Sequence, residues 1–363
     1  MNSASTSSPA RAFFQRKDIE ISFQRYVIDA LSAMALGLFG SLLIGLIVKT
    51  AAQQMCRIDG VDEKSTVVAV LVAIGAAAMD MMGPAIGVAV ARALKAPPLV
   101  LFTSAAVGYM GATFKAFGIA QAGGPAGAFL AVCVGVEFGK MVSKETKVDI
   151  LVTPAVTLLM GGLTAKLAGP LVGWLLVGLG DACMTATEWQ PFWFGIFLAV
   201  VIGLALTAPI SSAAICIMME LSGLAAGAAT VGCCAQMVGF AVMSFRENGV
   251  GGLVAQGIGT SMIQISNIVR NPWVLLPPTL AGAVLGPIST CIFHMTNNFA
   301  GAGMGTSGLV GPLMTLTDMG FTLPVLLEVL LLQIALPAVL TLLFAWPLRR
   351  LGRIRTGDLR LEL

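Results

Sequence analysis

Apolar runs long enough to cross a bilayer alternate along the chain with short polar connections. They fall at about 27–50, 66–94, 98–119, 124–142, 150–179, 192–219, 223–243, 251–268, 274–294 and 321–346. A helix needs about 20 mostly apolar residues to cross a hydrocarbon core of ~30 Å. In lipid every backbone N–H and C=O needs an internal partner, which restricts spanning structures to helices and closed barrels. These run lengths are helical, so the pattern predicts an all-α, polytopic integral membrane protein of about ten transmembrane helices. A polar head, 1–26, precedes the transmembrane domain at 27–346, and a basic tail, 347–363, follows it.

One stretch breaks the pattern. Residues 294–312 read HMTNNFAGAGMGTSGLVGP and hold the single histidine, two adjacent amides, three hydroxyls and five glycines between long apolar runs. No face of this stretch is apolar enough to meet lipid. Irregular backbone at membrane depth survives only where protein buries it or where it lines a wet cavity. The stretch is therefore expected to be a broken or re-entrant segment lining a polar site. The chain also echoes itself. Pro84 and Pro209, Pro154 and Pro278, and the Gly123–Gly124 and Gly251–Gly252 pairs recur in order at offsets of 125, 124 and 128. Transporters are often built from such repeats, and the landmarks predict a duplication over about 66–170 and 192–287.

Composition agrees with the class: 57% of residues are hydrophobic and only 11% are charged, against about 25% charged in a soluble domain. The 42 glycines suit spans that pack closely. Charge placement sets an orientation. With the N-terminus inside, fifteen of the 21 basic residues fall on one side of the predicted spans, including Arg16, Lys17, Lys140, Lys144 and the tail arginines. The positive-inside rule then places both termini in the cytoplasm. No secretory signal is visible in the polar head. The seven cysteines show no metal spacing; Cys56 and Cys183 fall in polar connections, where a disulfide is the less favoured reading. No phosphate-loop, dinucleotide or zinc signature is present. Neither a cofactor nor a nucleic-acid partner is expected.

The candidate site residues are those that the bilayer makes expensive. Asp80 is a lone charge inside a run, where insertion costs roughly 2.5–3.5 kcal/mol, so it needs a partner or a wet cavity. Glu137 shares a helix face with Lys140, three residues on, and a surface ion pair is the plainer reading. Gln236 and Gln264 lie inside apolar runs and either line a cavity or join helices. His294 is able to carry a proton, or to cap a helix end. Asn297, Asn298, Thr306 and Ser307 together offer the alternating donors and acceptors that a polyol needs, or they satisfy backbone freed by the helix break.

Three strings carry a family resemblance: RYVIDALSAMALGLFGSLLIGLIVKT (25–50), AAMDMMGPAIGVAVARALKAPPLVLF (77–102) and MTNNFAGAGMGTSGLVGP (295–312). They resemble the IIC-type membrane proteins of the bacterial sugar phosphotransferase system, in the branch with PfoR-like regulators. The resemblance implies a sugar-permease-like fold, an inner-membrane location and a homodimer. The phosphotransfer domains of that system are separate, and neither the 26-residue head nor the 17-residue tail holds one. The GTSG at 305–308 also matches the GxSG of rhomboid-type proteases, but the histidine here precedes the serine rather than following it, and no enzyme is expected. The reading is a permease for a small polar solute, sugar or sugar-like, in contact with the lipid bilayer. The alternatives are a sensor that keeps the pocket and engages a cytoplasmic protein partner, or a passive docking protein in the membrane.

Overall fold

The computed structural model describes residues 9–55, 66–115 and 122–361. The chain divides into two compact units, Met1–Leu176 and Val177–Leu363. Both are helical, and the single β-bridge among the described residues joins Gly223 to Asn297.

Unit 1 opens with a short helix α1 (Pro9–Arg16) and a long helix α2 (Gln24–Met55). Next come α3 (Thr66–Asp80) and α4 (Met82–Ala93), bent by 48° at Met81. The bend has a covalent cause. Pro84 has no N–H to return to the Asp80 carbonyl, and its ring crowds that same group. The run expected as one span at 66–94 is thus two helices. Helices α5 (Pro98–Thr113), α6 (Gly124–Val142) and α7 (Asp149–Leu167) complete the unit, with the first part of α8 (Gly169–Trp189). The run at 150–179 was expected as one span, and it is divided at Ala168. Pro170 removes a ladder donor there, and the Gly169 before it costs helix stability. Lys166, in the last turn of α7, donates to the Lys115 carbonyl at 2.6 Å. Packing is tight because small residues face each other: a Cβ on Gly45 would come within 2.6 Å of Gly75 O, and one on Gly75 within 2.7 Å of Gly45 O. Outward positions such as Leu159, Leu163, Trp174 and Leu175 are exposed and apolar, as a lipid boundary requires.

Unit 2 continues with α9 (Pro191–Thr207) and α10 (Ser212–Met218), separated at Pro209, so the run at 192–219 is also broken. Helix α11 (Gly223–Met243) is almost fully buried and forms the centre of the unit. The run at 251–268 is not a span. It is assembled from α12 (Phe245–Val254), a π turn at 255–259, extended Thr260, a 3-10 turn at 261–264 and α13 (Ile265–Arg270). Glycines at 249, 251, 252, 257 and 259 weaken any continuous helix. The unit closes with α14 (Pro272–Cys291), α15 (Phe299–Ala302), α16 (Val310–Met319) and α17 (Leu323–Arg350), the last interrupted by a π turn at 330–335. Among the described residues seven helices are long and apolar enough to cross a membrane, or eight if the bent α3–α4 pair is one span, against about ten expected.

One expectation about the cysteines changes. Cys183 lies within α8, not in a connection, and Cys56 lies outside the described residues. The tail is a docked strap. Leu359 is fully buried and Ile354 nearly so, in a core with Phe240, Met243, Ile268, Val274 and Ala345. The repeat landmarks occupy like positions in part: Pro84 and Pro209 both adjoin helix breaks, and Pro154 and Pro278 lie in the second turns of α7 and α14, whereas Gly123–Gly124 opens α6 and Gly251–Gly252 lies inside α12.

Candidate functional site

The glycine-rich segment lies along one side of α11. Small residues one turn apart make the bed: Gly227 touches the Met295 carbonyl, Thr230 meets Asn297, and Cys233 lies under Gly305. A Cβ at Gly227 or Gly305 would collide with backbone. Gly305 also has φ +54°, a conformation that an L side chain resists. Sequence and structure therefore agree that this stretch is irregular and internal.

Its side chains divide into two kinds. Asn297 is fully buried and fully engaged: Nδ2 donates to Thr230 Oγ1 at 2.8 Å and to the Gly311 carbonyl at 3.2 Å, and Oδ1 accepts from the Asn298 N–H at 2.8 Å. Asn298 is half-buried and caps α15, with Oδ1 accepting from the N–H groups of Ala300 (3.0 Å) and Gly301 (3.2 Å). Ser307 donates to the Gly259 carbonyl at 2.9 Å, not to an imidazole. His294 is exposed, at φ +46°, in the turn after α14. Thr306 differs from the rest. It is 2% exposed and its Oγ1 has no hydrogen-bond partner. Thr306 is one of the residues lining a cavity of about 320 Å³, with Val238, Leu253, Ile258, Leu309 and Ile334, while its hydroxyl stays buried behind that apolar surface.

A chain of polar groups runs from this segment into α17. Thr315 Oγ1 donates to the Gly311 carbonyl at 2.9 Å, and Gln333 Nε2 donates to Thr315 Oγ1 at 2.8 Å. Gln333 is fully buried, and its Oε1 ends the chain without a partner. Thr230, Thr315 and Gln333 were not singled out from sequence, nor was Glu328, whose Oε2 is buried and unpartnered in α17. The signal was present: Glu328 and Gln333 both interrupt the apolar run at 321–346, by the same rule that selected Asp80.

Gln236 and Gln264, in the same unit, do not join this constellation. Gln236 lies in a separate network within unit 2, donating to Thr279 Oγ1 at 2.9 Å and accepting from Thr207 Oγ1 at 3.3 Å. Gln264 donates to Gln256 Oε1 at 2.9 Å and the Leu359 carbonyl at 3.1 Å, and accepts from Asn267 at 2.7 Å. It is bound to the strap. Asp80 and Glu137 belong to unit 1. Asp80 is exposed at the α3–α4 bend. The Glu137–Lys140 pair is real, but it is no surface pair: the side chains are 14% and 1% exposed and lie 3.2 Å apart. Glu137 also accepts from Tyr26 Oη at 2.9 Å, and Lys140 donates to the carbonyls of Asp18 and Leu94.

This arrangement, an all-helical membrane chain with an irregular polar segment against a central helix, was compared with known proteins. The family described as "Phosphotransferase system, EIIC" matches residues 28–361. The chain belongs to that family. As an EIIC protein it is a multi-pass membrane protein of the sugar phosphotransferase class, and the match runs from α2 through the docked strap. No curated protein and no solved structure matches the chain. Among the described residues no cluster of His, Cys, Asp or Glu is placed to hold a metal ion.

Proposed function

We propose that this EIIC protein is a permease for a small polar solute, sugar or sugar-like, and that the solute passes the glycine-rich segment of unit 2. The observation that carries the reading is the buried, unpartnered hydroxyl of Thr306 at the wall of the 320 Å³ cavity. A buried polar group without a partner costs about 1–3 kcal/mol, a penalty that a solute hydroxyl would relieve. The apolar walls suit the C–H face of such a solute, as ligand cavities generally combine apolar lining with a few placed polar groups. Solute passage in this reading needs no catalytic group, cofactor or phosphoryl transfer on the membrane residues themselves.

Two contacts within units support a membrane orientation with both termini on the cytoplasmic side. Lys17 of the head meets Ser143 and Glu145, which puts the head and the 143–149 loop on one face. Asn248 donates to the Leu359 carbonyl at 2.8 Å, which puts Arg246 on the same face as the tail. In this reading Arg246 adds to the basic residues on the inner face. A homodimer is proposed from the family resemblance, and cross-linking in membranes tests it.

Uptake of radiolabelled hexoses, hexitols and sugar acids into proteoliposomes tests the permease reading, with Thr306→Val as the matched variant. Valine keeps the shape and removes the hydroxyl. Loss of one hydrogen bond at about 0.5–1.5 kcal/mol predicts roughly a two- to twelve-fold weaker apparent affinity, with stability unchanged or higher. Binding without flux would turn the reading to a sensor. Equal uptake by Thr306→Val would remove the hydroxyl from the site.

A further inference from the structure

A second pocket lies wholly within unit 1, at the meeting of the head, the α4–α5 turn and the end of α6. Its volume is about 390 Å³, and it is lined by Arg16, Lys17, Lys95, Lys140 and Lys144 with only Asp18 and Glu145 of opposite sign. The lining itself carries an excess of three positive charges. Around it, Arg25 and Glu137 cancel in formal charge, and the Asp149 carboxylate, which accepts from the Lys144 N–H at 2.7 Å, offsets one of the three.

Part of that charge has structural work. Three helix ends meet here, and their last carbonyls need donors. Lys140 Nζ donates to Asp18 O and Leu94 O, Arg25 donates to Leu94 O at 2.9 Å, and Lys17 donates to Ser143 O. Lys95 and Lys144 donate to none of these carbonyls: both are exposed along the pocket, and Lys95 Nζ lies 3.8 Å from Asp18 Oδ2. Their backbones point to the same conclusion. Asp18, Lys95 and Lys144 have φ of +52°, +56° and +61°, half of the six non-glycine residues in the left-handed region among the described residues. Asp18 and Lys95 follow the helix ends, where the first N–H bonds run back as Asp18 N–H to Gln15 O and Lys95 N–H to Arg92 O. Glycine is the unstrained choice at such positions. Strained backbone retained around one concavity is a mark of a functional site. Two lysines held where glycine would fit better imply that their ammonium groups are what the site keeps.

We propose that this pocket binds a phosphate-bearing anion. The chemistry is a phosphate group with one or two negative charges, matched to three cations in excess and supplied either as the headgroup of an acidic phospholipid or as a soluble phosphate. Basic pockets between membrane helices are suited to headgroups, with each lysine near the surface worth about a five-fold change in binding. The proposal does not rest on the solute reading, and its test does not depend on uptake.

The experiment uses the full-length protein and two double variants, Lys95→Gly with Lys144→Gly and Lys95→Gln with Lys144→Gln. The glycine pair also relieves the backbone, so it keeps the fold if glutamine does not. One arm titrates inorganic phosphate into protein held in zwitterionic nanodiscs and reads binding by calorimetry. The other compares the melting temperature in zwitterionic nanodiscs with that in nanodiscs containing phosphatidylglycerol. The expected result is binding in one arm, weakened by roughly 25-fold in the glycine pair and suppressed by salt. Phosphate binding identifies a soluble ligand; a lipid-dependent rise in melting temperature, abolished in both variants, identifies a headgroup. No response in either arm, or a response that both variants retain in full, overturns the proposal.

Discussion

Replacing Gln264 with leucine separates two readings of a buried amide inside an apolar run. In the structure its three hydrogen bonds go to Gln256, Asn267 and the strap carbonyl of Leu359. Leucine removes all three. Asn267 Nδ2 still has the Arg360 carbonyl at 3.0 Å, and Leu359 O still has Asn248 at 2.8 Å. Gln256 Oε1 loses its donor, and orphaning it costs about 1–3 kcal/mol. The other two lost bonds cost about 0.5–1.5 kcal/mol each. A leucine of similar volume recovers some of this in burial, so the net loss is roughly 1–4 kcal/mol. Thermal unfolding in detergent should show the drop, and limited proteolysis should cut the tail after Gly352 sooner. Asn267→Ala removes a shared partner, so the double variant should lose less than the sum, with a coupling of about 0.5 kcal/mol or more. Unchanged melting and proteolysis, with solute binding lost, would refute the structural assignment and return Gln264 to the solute path.

The paired amides should separate in the same way. Asn297→Ala breaks three buried bonds and should lower stability by roughly 2–4 kcal/mol, whereas Asn298→Ala loses a cap worth about 1 kcal/mol, read by thermal melts of both variants. Head docking should depend on pH at the acid end. The hydrogen bond from Arg25 holds the Asp18 carboxyl below its ordinary 3.8, and Lys17 holds Glu145 below 4.5. A depressed carboxylate stabilises the fold above its unfolded value, and that contribution is lost as pH falls through the folded value. Protease sensitivity around 17–23 should therefore rise below about pH 4 and stay flat between neutrality and pH 5; a head released only on raising the pH would contradict the ion pairs.

What the sequence determined by itself was what depends on local cost. Long apolar runs oblige helices, because only a helix satisfies its own backbone in lipid. The polar glycine-rich stretch at 294–312 cannot be a lipid-facing helix, and it is not one. Glu137 and Lys140, three apart, were bound to share a face. Some breaks were legible in principle too: Pro170 divides 150–189, whereas Pro154 is carried inside α7. Which proline breaks a helix depends on whether neighbours satisfy the freed carbonyl, and no local pattern states that. The tertiary structure alone decided where the buried amides spend their hydrogen bonds. Gln264 and its strap partner Leu359 are 95 residues apart, and Asn297 meets Thr230 across 67. A side chain that looks like a ligand group in the sequence becomes structural once such a partner arrives. Thr306, which differs from its neighbours only in having none, could be told apart only in the folded chain.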